Sequence, residues 1–152
     1  MSGLFFEQLD VGMVFRHPIR RTVTEADNVW YSTATCNPAA IHLDEHYCRE
    51  HSPFGTRIVN SGFTFGLMIG LSVAETTLGT TIGNLGIDEM RFPAPVFHGD
   101  TIRAETEVLE KRESRSKPDQ GIVTFLHRAF NHDDVLVAHC KRVALMMKVP
   151  VQ

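Results

Sequence analysis

The segment SGFTFGLMIGLSVAET, residues 61–76, constrains the fold of this chain more than any other. It is apolar on almost every face and about four helical turns long, so it predicts a helix buried on all sides. Such a helix needs a layer to wrap it, and the rest of the chain supplies one. The runs IGNLGIDEMRF (82–92), DTIRAETEVLEK (100–111), GIVTFLHRAFN (121–131) and VLVAHCKRVALMMKV (135–149) alternate in part and are rich in β-branched residues, which predicts four long strands. PAPVFHGD, SRSKPDQ and HDD lie between them and carry turn chemistry.

With FRHPIRRTV (15–23) as a short N-terminal strand, the expected architecture is α+β: a curled antiparallel sheet of about five strands wrapped around one long apolar helix, the hot-dog arrangement. At 152 residues and 43% hydrophobic content the expectation is one domain over residues 1–152, without repeats, linker or low-complexity segments. Upstream of the central helix, Thr24 with Asp27 three residues on has the pattern of a capping box and predicts a helix to about Thr35. CNPAAIHL (36–43) has no clear period and predicts a loop, after which Asp44 caps a short helix through about Glu50. His42 is thus expected on a loop between two helices.

Composition excludes several functions. Lys plus Arg number 15 against 18 Asp plus Glu, without long runs of one sign, so nothing electrostatic points to nucleic acid. The one basic cluster, Lys111, Arg112, Arg115 and Lys117, fits a solvated hairpin end, with phosphate binding as the alternative. Cys36, Cys48 and Cys140 are odd in number and form no Cys-x-x-Cys pair, which argues against disulfides and zinc knuckles and for a reducing compartment. The N-terminus lacks a signal-peptide pattern and the longest apolar stretch is too short and Gly-rich to span a membrane, so a cytoplasmic location is expected. His42 and His46 share the i, i+4 spacing of a zinc motif but no third ligand accompanies them, and no metal is expected. His98 is assigned to a tight turn with Gly99-Asp100; His51, His127, His132 and His139 are assigned to surface or cross-strand positions. Serine-hydrolase elbows and phosphate-cradling glycine motifs do not occur.

Three stretches resemble the MaoC-like hydratase and dehydratase family: TEADNVWYSTATCNPAAIHLD (24–44), FGTRIVNSGFTFGLMIGL (54–71) and MRFPAPVFHGDTIRAETEVLEKRES (90–114). In that family the loop after the first helix usually reads Gly-Asp-x-Asn-Pro-x-His-x-Asp, its Asp and His forming a catalytic dyad that activates water. An ungapped match puts His42 on the family histidine and Asp44 on the Asp that follows it. Asn37 then stands where the family has its catalytic Asp, and Ala39-Ala40 fall on the usual Asn-Pro pair. Asn-Pro-Ala-x-x-His-Leu-Asp, with the TLGTTIGNLGIDEMRFPAPVFHGDT region, resembles the branch that handles C5 dicarboxyl-CoA thioesters: mesaconyl-, itaconyl- and β-methylmalyl- or citramalyl-CoA.

The resemblance implies addition or removal of water at an enoyl-CoA double bond, with no cofactor because coenzyme A is part of the substrate. His42 can take a proton from water and return one to the α-carbon. Asn37 cannot be a base, but its amide can hold the water. Asp44 either fixes the His42 tautomer or caps the next helix. Gly62, with Ser61 and Asn60 beside it, is the candidate for the thioester oxyanion site at a helix N-terminus, or else only relieves crowding there. Arg57 is a possible contact to a CoA phosphate or a substrate carboxylate. A homodimer is expected to cover the open sheet edge, with a hexamer, as a trimer of dimers, the larger alternative. The competing readings are a general (R)-specific enoyl-CoA hydratase, a hot-dog thioesterase, for which the central helix offers only Glu75, and a non-catalytic acyl-CoA-binding module.

Overall fold

A computed structural model describes residues 3–150. After a 3-10 turn at Phe6–Gln8 come β1 (Val14–Arg16) and β2 (Arg21–Thr22), then α1 (Glu25–Ala34), α2 (Ala40–Leu43), α3 (Glu45–His51) and α4 (Ser61–Thr76). The chain closes with β3 (Thr81–Arg91), β4 (Thr101–Glu113), β5 (Gln120–Phe130) and β6 (Leu136–Met147). The antiparallel sheet has the order β1-β4-β5-β6-β3, and β2 also pairs with β4. The chain has the hot-dog fold.

The four long strands and α4 lie where the sequence puts them, but the N-terminal strand does not run unbroken. Pro18 has no N–H to continue the ladder, so 15–23 splits into β1 and β2, with a bend between them. Along β5, and along β4 as far as Val108, burial alternates strictly: Ile102, Ala104, Thr106 and Val108 point inward from β4, and Val123, Phe125, His127 and Ala129 from β5.

Against that concave face α4 lays Thr64, Met68, Leu71, Ser72 and Thr76. The expectation that this helix is buried on every side is corrected here. Gly66, Gly70 and Glu75 are exposed, and Arg21, Tyr31, Phe63 and Leu67 flank Gly66 and Gly70 in a shallow groove. The sheet covers one side of the helix only, and glycines on the other side keep its apolar area small.

Two apolar clusters fill the interior, one around Met68, Ile102 and Val137, the other around Phe6, Phe125 and Met146. Between them a polar row crosses the sheet. Thr106 Oγ1 lies 2.9 Å from His127 Nδ1 and 2.8 Å from His17 Nε2, and His17 Nδ1 lies 2.6 Å from the Glu75 carboxylate. Arg142 continues the row on β6 with its guanidinium 5.4 Å from the centre of the Phe125 ring. Burial, with Arg142 and His17 nearby, pushes the pKa of His127 down to about 3, so this histidine is neutral in the fold.

The helical segment before α4 is tied together by Arg57. Its Nε donates to Glu45 at 3.1 Å and its Nη2 to Glu25 at 2.6 Å, joining α3 to α1. The Arg57 backbone N–H and side chain and the Thr56 hydroxyl hold the Glu45 carboxyl down at a pKa of about 2, against an ordinary value of 4.5.

Two outcomes are expected. Met68→Ala, which empties a fully buried position, should cost about 2–5 kcal/mol in urea unfolding, whereas Gly66→Ala, where an added Cβ meets nothing within 4 Å, should gain up to about 1 kcal/mol. Because the Glu45 pKa is lower in the fold than in the unfolded chain, its contribution is complete above the ordinary carboxylate pKa and is lost as pH falls from about 4.5 towards 2. Thermal midpoints should decline through that window, and Glu45→Gln should remove part of the decline.

Candidate active site

Capping chemistry sets the entrance to the site. Thr24 accepts from the Asp27 amide while Asp27 accepts from the Thr24 amide, the capping box expected from the sequence. After Ala34 the chain turns through Cys36, which has a φ of 56°, and Pro38 prevents the helix from resuming. Asn37 Oδ1 accepts from the Ala39 amide at 3.0 Å, closing an Asx turn that launches α2. His42 therefore stands on a single helical turn and not on the irregular loop expected for it. Asp44 accepts from the Tyr47 amide at 2.9 Å and caps α3, the second of the two roles open to it.

The His42 side chain turns inward and only 7% of the residue is exposed. Its Nδ1 lies 2.8 Å from the Ile58 carbonyl oxygen. A carbonyl can only accept, so Nδ1 carries the hydrogen and, in the neutral ring, Nε2 keeps its lone pair. Ile58 is held in turn, its amide donating to the Ile41 carbonyl and Val59 donating to Val96. The 58–60 segment thus runs as an extended strap between α2 and the segment before β4, and it ends on the first turn of α4.

There Asn60 is the N-cap, accepting from the Gly62 amide at 3.0 Å. The Gly62 N–H is taken up by this cap, and a Cβ at Gly62 would collide with the Tyr31 ring. Between the two roles open to Gly62, relief of crowding is the one the geometry supplies. The first-turn amides of Ser61 and Phe63 have no acceptor inside the helix. Ser61 lines a cavity of about 350 Å³ together with Ile58, Thr64, Val96 and Val137. No charged side chain lines it.

The other residues singled out by sequence fall at different distances from this centre. No hydrogen bond joins Asn37 to His42, and Asn37 opens onto a separate groove with Thr33, Cys36 and Leu43. Arg57 spends its guanidinium on Glu25 and Glu45. His46 lies on α3 with its side chain 83% exposed, so the His42/His46 spacing does not converge. Among the described residues no three His, Cys, Asp or Glu side chains group as metal ligands, and no helix is long and apolar enough to cross a membrane.

Sequence reasoning missed Asn28, Ser32 and the part played by His98. Asn28 is fully buried, and its Nδ2 lies 3.1 Å from the Ile58 carbonyl, 3.3 Å from the His42 carbonyl and 3.0 Å from His98 Nε2. Its Oδ1 accepts from the Asn60 amide at 2.8 Å. Ser32 sits one turn along α1 and its hydroxyl accepts from Asn60 Nδ2 at 3.3 Å. The i, i+4 pair of polar residues at inward positions of α1 was the available signal. His98 does stand at the Gly99 turn, but its ring faces Asn28, and burial together with the Arg57 charge holds its pKa below the ordinary histidine value.

With this geometry in place, the chain can be compared with known proteins. It is 29% identical over 147 residues to the mesaconyl-CoA hydratase of Cereibacter sphaeroides, covering 97% of this chain and 42% of that protein. It is 32% identical over 111 residues to the 3-hydroxybutyryl-CoA dehydratase of Methylorubrum extorquens, covering 70% of this chain and 65% of the relative. The chain therefore spans less than two thirds of the length of either. Among solved structures, the MaoC-like dehydratase of Rhodospirillum rubrum superposes with a TM-score of 0.86 at 30% identity, covering 98% of this chain and all of that one. The sequence profile described as "MaoC like domain" matches residues 7–129, and the chain belongs to the MaoC-like dehydratase family.

Proposed function

We propose that the chain is a carbon–oxygen lyase that adds or removes water at the double bond of an enoyl-CoA thioester. The observation that carries this reading is the His42 ring, buried, fixed through Nδ1 to Ile58 and left with a basic Nε2. In the hydration direction Nε2 takes a proton from water as the oxygen bonds to the β-carbon. The electron pair of the double bond moves to the thioester oxygen, where the first-turn amides of α4 at Ser61 and Phe63 stabilise the enolate. The imidazolium then returns a proton to the α-carbon, and dehydration is the reverse. Asn37 shapes the turn that presents α2. No cofactor is called for by this route, since coenzyme A belongs to the substrate.

The finer reading is a C5 dicarboxyl-CoA substrate of the mesaconyl, itaconyl or methylmalyl type. It is supported by the likeness to a mesaconyl-CoA hydratase over nearly the whole chain. The uncharged cavity beside Ser61 favours a second reading, a general (R)-specific hydratase of short linear enoyl-CoA, in keeping with the likeness to a 3-hydroxybutyryl-CoA dehydratase. Arg57 is paired with Glu25 and Glu45 through Nη2 and Nε, which leaves Nη1 as the nitrogen that a distal carboxylate would meet. The thioesterase alternative finds Glu75 engaged by His17, at the far end of α4 from His42.

The edge strand β3 exposes Ile82, Leu85 and Ile87, an unpaired apolar edge that a second copy of the chain would cover. A homodimer in the cytoplasm is part of the proposal.

A panel of crotonyl-, mesaconyl- and itaconyl-CoA, followed by enoyl-thioester absorbance and by free-thiol release, tests the chemistry and ranks the substrates. Loss of absorbance without thiol is expected; thiol release with the enone retained would sink the hydratase reading. His42→Ala should lower turnover by at least about 100-fold, while a parent-like rate would remove His42 from the mechanism. Leu85→Lys should shift the species seen by analytical ultracentrifugation from dimer to monomer; an unchanged dimer would move the interface away from the β3 edge.

A further inference from the structure

The Asn28 carboxamide touches both halves of the site. Its Nδ2 shares two hydrogens among three acceptors: the Ile58 carbonyl oxygen, which also accepts His42 Nδ1–H, the His42 carbonyl and His98 Nε2. Its Oδ1 accepts from the Asn60 amide, the residue that caps α4. Neither end can be exchanged. An amide N–H on Asn60 requires an oxygen opposite it, so the nitrogen must face Ile58, His42 and His98.

That orientation fixes His98 too. Accepting from Asn28 requires a free pair on Nε2, and the lowered pKa of His98 keeps the ring in its neutral form. Asn28 is fully buried and reaches no solvent, so its four partners are its whole environment of hydrogen bonds. The strap is bound on one side by the Val59 amide to the Val96 carbonyl and on the other by Asn28, by the Ile41 carbonyl, by His42 Nδ1 and by the Ser32 hydroxyl. Without Asn28, the Ile58 oxygen and the Asn60 amide lose the side chain that ties them to each other.

We propose that Asn28 is a positioning residue that, through Ile58 and Asn60, holds the His42 imidazole and the first turn of α4 at a fixed separation. Base and oxyanion donors act on two atoms of one substrate, so their spacing has to match the acyl group, and errors of an ångström are expensive. The kinetic part rests on the hydration reading above; the structural part does not.

The test uses the full chain with Asn28→Asp, which keeps the oxygen for Asn60 but replaces the donors, and Asn28→Ser, which is too short to span the partners. Turnover on crotonyl- and mesaconyl-CoA is measured beside the ¹⁵N signature of the His42 ring and the thermal midpoint. The expected result is a fall in kcat of about 30-fold or more with KM within about 3-fold, as the ring passes from one Nδ1–H tautomer to a mixture. An unchanged ring signature overturns the proposal whatever the rate, and so does a changed signature with kcat kept within about 3-fold. If His42→Ala retains turnover, the hydration reading fails while the ring signature still decides whether Asn28 holds His42. Should both variants fail to fold, the side-chain NH₂ of Asn28 in the parent decides. Protection from solvent exchange is expected, and exchange at the rate of a free amide overturns the proposal.

Discussion

Everything in this chain depends on burying one face of α4 in the hollow of the sheet. Met68 and Leu71 meet Ile102, Ala104, Val137 and Cys140 there, and the alternation along β4, β5 and β6 exists to supply that hollow. Removing this apolar surface from water is the main favourable term available to a domain of this size. The site inherits its position from the same contact, because the N-terminus of α4 ends beneath the strap from Ile58 to Asn60. His42 on α2 and the first-turn amides of α4 come from separate helices, and the strap connects them through Ile58 and Asn60.

The site itself is organised by main-chain groups more than by charges. The Ile58 carbonyl sets the tautomer of His42, the Asn60 cap determines which first-turn amides remain free, and the Arg57 pairs lock α1 to α3 behind them. Backbone acceptors hold a ring without adding a charge that would have to be offset in a poorly solvated place. That arrangement suits the proton-transfer role proposed for His42.

Much of the fold was legible because it rests on periodicity. The helix at 61–76, the four long strands, the Thr24–Asp27 capping box and the Asp44 cap each follow from local pattern and sit where the pattern puts them. What failed was whatever depends on contacts between distant segments. The run 61–76 could not reveal that a single sheet covers only one side of it, and 15–23 breaks because β4 requires donors that Pro18 lacks. At the site, the role of Asp44 in capping was readable, whereas Asn28 makes bonds 14, 30, 32 and 70 residues away and carries no local motif. Gly62 was ambiguous until Tyr31 was seen to occupy the space a side chain would need.

The polar row of Thr106, His127 and Arg142 has a consequence for how the strands find each other. Alternation of apolar and polar residues forbids a slip of one position, because every inward side chain would turn outward, but it tolerates a slip of two. In this sheet a shift of two between β4 and β5 would separate Thr106 from His127, whose Nε2 already lacks a partner, and leave both ring nitrogens unpaired in the interior. Burying an unpaired polar group costs more than the alternation could return. The Thr106–His127 pair thus works as a key between β4 and β5, and it rejects the misalignment that the hydrophobic pattern would accept.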